Sequence, residues 1–122
     1  MTGRFQRELL RGTLELMVLS SLAHGRKYGY LIQRQLRESS QSRVDLPAGT
    51  LYPILHRLEE EQWIKSSWDE DSGRKRKWYE ITQTGLAQLK VEASEWQSYA
   101  SYIQGLLALA MPDSPSALKP CP

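Results

Sequence analysis

Two short stretches concentrate the polar chemistry of this 122-residue chain: "PAGTLYPILHR" at 47–57 and "RKRK" at 74–77. Arginine and lysine donate to phosphate oxygens, and an arginine fork can also reach a guanine edge. His56 and Arg57 supply such donors on a segment that also carries Gly49 and Pro53. Other chemistry is poorly served. Histidine occurs only at positions 24 and 56, and the single cysteine is Cys121, so no metal-ligand cluster and no intrachain disulfide is expected. Glu59, Glu60 and Glu61 are adjacent and read as a solvated helix end, not as a paired acid and base. With no phosphate loop and no nucleophile–base pair, the residues point to binding rather than catalysis, and no cofactor is expected.

Bulk properties agree. A chain of this length suits about one domain and can bury a core of its own. Hydrophobic residues make up 40% and charged residues 25%, an ordinary balance for a globular protein. Net charge is only +2, but residues 1–57 hold 9 Lys/Arg against 4 Asp/Glu, while residues 58–122 hold 7 against 10. Local clusters govern attraction to a polyanion more than the total does. No apolar run approaches the ~20 residues of a membrane span, and the N-terminus lacks a secretory core. The expectation is a cytoplasmic protein with no membrane partner.

The elements that must position these groups follow from periodicity. Residues 9–23 place Leu10, Leu14, Met17, Val18 and Leu22 on one helical stripe, which His24-Gly25 ends. In "KYGYLIQRQLRESS", Tyr28, Ile32 and Leu36 share a face, and Tyr30 and Arg34 point the other way. Residues 39–45 are polar and read as a loop. A third helix is expected over 48–61, with Leu51, Leu55 and Leu58 inward and Gly49, Pro53, His56, Arg57 and Glu60 outward. If Thr50 caps it, Pro53 falls where no intrahelical N–H is needed; if the helix starts earlier, Pro53 should distort its first turn. Residues 63–68 and 74–82 read as two strands around a turn at 69–73, which puts the basic run near a hairpin tip.

A long helix follows from Gln83, with Thr82 as its N-cap and Pro112 beyond its end. Leu86, Leu89, Ala93, Trp96, Ala100, Ile103, Leu107 and Ala110 recur at spacings of three and four, the seam of a coiled coil. Such a helix is about 43 Å long, more than one small domain covers. A second copy of the chain is the expected cover, in preference to the seam folding onto its own core. The Pro-rich tail 112–122 reads as disordered.

Three helices, a β-hairpin and a long final helix make a mostly α fold with a β-hairpin wing: a winged helix-turn-helix over residues 1–82 and a dimerisation helix over 83–111. In this arrangement the second helix of the pair enters the major groove, with its N-terminal residues on the bases. Gly49 leaves room for a phosphate, Arg57 can offer a fork to guanine, His56 a single donor or acceptor, and Tyr30 can reach a phosphate. A winged-helix module that binds protein instead of DNA is the rival reading.

The blocks "LRGTLELMVLSSL", "YGYLIQRQL", "PAGTLYPILHRLEEE" and "WYEITQTG", followed by one long helix, resemble the PadR family of bacterial transcriptional regulators, in its short form. The resemblance spans roughly residues 9–110. It implies a homodimeric winged-helix repressor of operator DNA, relieved by a small molecule. By motif position, Gly49, Thr50, Tyr52, Pro53, His56 and Arg57 match the recognition-helix block, and Lys77, Trp78 and Tyr79 the wing block. The expected DNA contacts are Tyr30, the recognition-helix residues Gly49, Thr50, Tyr52, Pro53, His56 and Arg57, and the basic run Arg74, Lys75, Arg76 and Lys77; Trp78 is expected to pack around the wing. Leu89, Ala93, Trp96, Ala100, Ile103 and Leu107 are the expected dimer contacts. Some family members stack planar aromatic compounds between tryptophans of the two long helices. Trp96 matches that position, and small Ala93 and Ala100 beside it leave volume for a planar aromatic inducer. Two positions depart from the pattern: Gln62 stands where glycine is frequent after the recognition helix, and Pro47 where serine is common before it.

Overall fold

The computed structural model describes residues 13–111. The start of the first predicted helix (Leu9 and Leu10), the tail 112–122 and Cys121 lie outside the described residues. The described elements are α1 (Leu14–Ser21), β1 (Lys27–Tyr28), α2 (Gly29–Ser39), α3 (Ala48–Glu60), β2 (Ile64–Asp71), β3 (Arg74–Ile81) and α4 (Gln83–Ala110). By contacts the chain divides into two compact units, residues 1–89 and 90–122.

The first unit is built around apolar residues at helical spacing. Val18, Leu19 and Leu22 from the α1 segment, Ile32 from α2, and Leu51, Leu55 and Leu58 from α3 are at most 1% exposed. Val44 and Leu46 from the loop before α3, Ile64 and Tyr79 close the core. Fully burying a leucine is worth about 1.5–3 kcal/mol, so this cluster is the main term holding the three helices together.

Helix α3 begins at Ala48, two residues before Thr50, with Pro47 as its N-cap and no side-chain cap. The Pro47 carbonyl accepts from the N–H groups of Thr50 and Leu51, both at 2.9 Å. Pro53 is therefore the sixth helical residue, and yet the helix runs unbroken to Glu60. Its C-terminus is a Schellman motif: Gln62 N donates to Glu59 O at 2.9 Å and Trp63 N to Leu58 O at 3.0 Å. The motif needs a left-handed residue, and Gln62 takes φ 64°. A side chain there costs about 1–2 kcal/mol, and glycine's extra chain entropy recovers roughly 0.5–1 of it. Gln62→Gly is thus expected to raise stability by about 0.5–1 kcal/mol in urea denaturation. A fall would mean that the glutamine side chain makes a compensating contact.

The hairpin is longer than its sequence suggested. The turn is Ser72-Gly73 alone, with φ of 55° and 77°, both in the left-handed region. That is a two-residue type I′ turn, whose twist matches the strands it joins. Asp69, Glu70 and Asp71, expected in the turn, extend β2 instead and pair in register with Arg76, Lys75 and Arg74. A third strand, unanticipated, completes the sheet: β1 pairs antiparallel with β3, Lys27 with Tyr79 and Tyr28 with Trp78. The strand order is β1-β3-β2.

Thr82 joins the wing to α4. Its hydroxyl donates to the Gln62 carbonyl at 2.7 Å and accepts from Gly85 N at 3.0 Å, which caps the helix as expected. Its N–H donates to Trp63 O at 3.0 Å. In the second unit, α4 carries exposed apolar side chains, among them Tyr99, Tyr102, Leu106 and Leu109.

Candidate nucleic-acid interface

The outward face of α3 is as its periodicity predicts. Gly49, Tyr52, Pro53, His56, Arg57 and Glu60 are exposed and Thr50 is half-buried, while Leu51, Leu55 and Leu58 opposite them are closed from solvent. An added Cβ on Gly49 would meet no atom within 4 Å, so packing does not require a glycine there. Tyr52 lies toward α2: its ring and hydroxyl occupy the space that a side chain at Gly29 would need. Tyr30, on α2, is 52% exposed. Beyond it, Arg34 pairs with Glu38 one turn later at 3.4 Å.

Arg57 is already engaged. Its Nη1 forms an ion pair with Oε2 of Glu15 on α1, a contact that ties α3 to α1. Nothing in the local sequence around either residue signals this pairing.

The basic run is divided by the strand that carries it. Arg74 and Lys75 are exposed at the start of β3; Arg76 and Lys77 are half-buried. Arg76 lies over the Tyr28 ring, 4.2 Å from its centroid, and Lys77 lies 5.7 Å from the centroid of Tyr79. Trp78 meets Tyr28 edge-to-face at 4.9 Å and carries Arg26 at 4.4 Å on its ring. Arg26 in turn donates to Asp69 at 2.8 Å. That bond, with a second from the Glu70 N–H, holds the Asp69 carboxyl below the usual carboxylate range. The root of the wing is therefore a stacked cluster of arginines and rings, to which the short β1 contributes Tyr28. Arg26 and Tyr28 were not singled out from the sequence for this role, because the register that joins them to Trp78 depends on a two-residue strand.

On α4, Leu89 packs against the core of the first unit. Ala93, Ala100 and Ile103 are half-buried, Trp96 is 44% and Leu107 45% exposed. The Trp96 ring lies 5.9 Å from that of Tyr99, tilted by 38°. Among the described residues no group of three His, Cys, Asp or Glu could hold a metal ion, and no helix is long and apolar enough to cross a membrane.

Comparison with known proteins gives the same picture from another side. Residues 18–91 match the model of the transcriptional regulator PadR-like family. Transcriptional regulator Rv3488 of Mycobacterium tuberculosis is 30% identical over 99 residues, covering 81% of this chain and 90% of that protein. The crystal structure of a PadR family transcription regulator from Clostridium difficile superposes with a TM-score of 0.71 at 33% identity, covering 79% of this chain and 99% of that one. That of a PadR family regulator from Eggerthella lenta gives 0.72 at 35% identity, covering 82% and 86%. The matched region takes in the end of α1, all of α2 and α3, and the wing, and the chain belongs to the PadR-like family of DNA-binding transcriptional regulators, which are not enzymes.

Proposed function

We propose that the chain acts in the cytoplasm as a homodimeric repressor that binds operator DNA with α3 in the major groove and the wing on the backbone, and that a planar aromatic inducer releases it. One observation carries the DNA reading: α3 buries Leu51, Leu55 and Leu58 completely and leaves Gly49, Tyr52, Pro53, His56 and Arg57 exposed on one face. A helix buried on one side and free on the other is what a groove requires. Residues 1–82 would bind DNA and 83–111 would dimerise. Exposed apolar residues on α4 support a partner helix there, and Trp96 beside small neighbours supports an inducer at the two-fold axis.

The test is a titration with duplex from the upstream region of the protein's own gene and with random duplex, each at two salt concentrations. Operator affinity should fall steeply with salt, with a slope near 0.9 per phosphate neutralised. His56→Ala should weaken operator binding by roughly 1–3 kcal/mol and random binding much less, as a base contact would. Arg74→Ala and Lys75→Ala should weaken both and flatten the slope by about one unit each. Sedimentation of the same sample should give a dimer. Binding that is indifferent to salt and to all three substitutions would favour the protein-binding alternative.

A further inference from the structure

Arg57 stands in an unusual place for a residue that reads bases. It is the tenth of thirteen residues in α3 and lies in the last turn, whereas a helix-turn-helix reads bases with the N-terminal residues of this helix. Its charge is also spoken for. Glu15 is the acidic residue in the first turn of α1, and its carboxylate touches the guanidinium directly. The two sides of the pair differ in exposure: the Glu15 side chain is 26% exposed and that of Arg57 57%. The carboxylate is thus the more covered partner of the pair, and the guanidinium projects to solvent on the exposed side of α3, as His56 does.

We propose that Glu15 restrains the DNA affinity of α3 by competing with phosphate for Arg57. The inference rests on α3 being the recognition helix. A phosphate approaching Arg57 meets a cation whose charge is cancelled at contact, and behind it an anion that repels the phosphate. Either DNA takes Arg57 from Glu15, losing the pair, or Arg57 stays where it is and contributes little. In both cases the carboxylate lowers affinity. Reading of bases then falls to residues nearer the start of α3, from Gly49 to His56.

The charge and the hydrogen bond of Glu15 can be separated. Glu15→Gln keeps the side-chain length and an oxygen that still accepts from Arg57, and removes only the negative charge. In the full-length protein, Glu15→Gln should tighten binding to a random duplex by roughly five-fold at low salt, the scale of a partly exposed ion pair. The salt slope should steepen by about one unit, as one more phosphate is neutralised. In an Arg57→Ala background Glu15→Gln should leave the salt slope unchanged and tighten binding much less, by the carboxylate's own repulsion alone. Urea denaturation should move the other way, with Glu15→Gln less stable than wild type because the α1–α3 ion pair is reduced to a weaker hydrogen bond from Arg57 to a neutral acceptor. A residue that only packs would not weaken the fold while strengthening DNA binding.

Unchanged affinity, or an equal change in both backgrounds, would overturn the proposal. So would a loss of affinity that depends on Arg57, since the carboxylate would then be orienting the arginine for DNA. If His56→Ala, Arg74→Ala and Lys75→Ala also leave DNA binding unmoved, it is the placement of α3 that fails, and with it the premise.

Discussion

Replacing Gly85 by alanine is expected to lower stability by about 1–2 kcal/mol, although alanine is the better helix former. Gly85 is the buried residue of α4. A Cβ built on it would fall well within van der Waals contact distance of the Trp63 carbonyl oxygen and 2.8 Å from Ile81 Cγ1. The obstacle is backbone, which cannot rotate away as a flexible side chain would. Trp63 O also accepts from Thr82 N, and Trp63 N closes the end of α3 on Leu58 O. Making room would disturb two helix ends and the strand between them. Overpacking of this kind costs typically 1–3 kcal/mol and occasionally more, against about 1 kcal/mol gained in helix propensity. Gly105, in the same helix, is the matched control: a Cβ there meets nothing within 4 Å. Gly105→Ala should therefore raise stability, by up to about 1 kcal/mol. Urea denaturation of the two variants should show opposite signs. If Gly85→Ala were as stable as wild type, the close approach of α4 to Trp63 would have to be wrong.

What could be seen in the sequence, and what could not, divides along the range of the interactions. Leu51, Leu55 and Leu58 repeat at the spacing of one helical face, so α3, its buried side and its exposed side were all legible. The long apolar pattern after Gln83 was legible for the same reason, as was Thr82, whose cap is local. The wing was legible as two strands but not in its turn. Asp69, Glu70 and Asp71 are turn-forming residues by type, and only the register opposite Arg76, Lys75 and Arg74 makes them a strand. β1 has two residues, too few for any period to show. The contacts that modify the candidate interface are the least legible. Glu15 reaches Arg57 and Arg26 reaches Asp69 across long stretches of chain. These pairs exist because the core brings α1 to α3 and the loop before β1 to the wing. The basic run was legible only as lying near a hairpin tip; the strand register that sets Arg74, Lys75 and Arg76 opposite Asp71, Glu70 and Asp69 was not.

Pro53→Ala is expected to stabilise the fold by about 2 kcal/mol and to weaken operator binding. Proline inside a helix has no N–H for the carbonyl four residues back, here that of Gly49, and its ring crowds that carbonyl. The cost is about 3 kcal/mol relative to alanine. Part of it is offset because proline also restricts the unfolded chain, an effect of roughly 0.4–1 kcal/mol that the substitution forfeits. No packing gain appears in return, since Pro53 is exposed on the outward face. Gly49 beside it is likewise open, with no crowding to explain its missing side chain. Two residues unfavourable to a helix thus sit one turn apart on the face proposed to meet DNA. Local rules are broken in this way where function is served at the expense of stability. Under the proposed function the Pro53 ring supplies an apolar contact of the kind that recognises a thymine methyl, and Gly49 lets the backbone come close. Loss of such a contact should cost roughly 1–3 kcal/mol of operator affinity and leave the salt slope unchanged, because no phosphate contact is removed. Thermal denaturation and operator titration of the one variant therefore carry opposite expectations. A melting temperature that does not rise would show that α3 bears no strain at Pro53. A rise without any loss of operator affinity would place Pro53 away from the bases and shift recognition to Thr50, Tyr52 and His56.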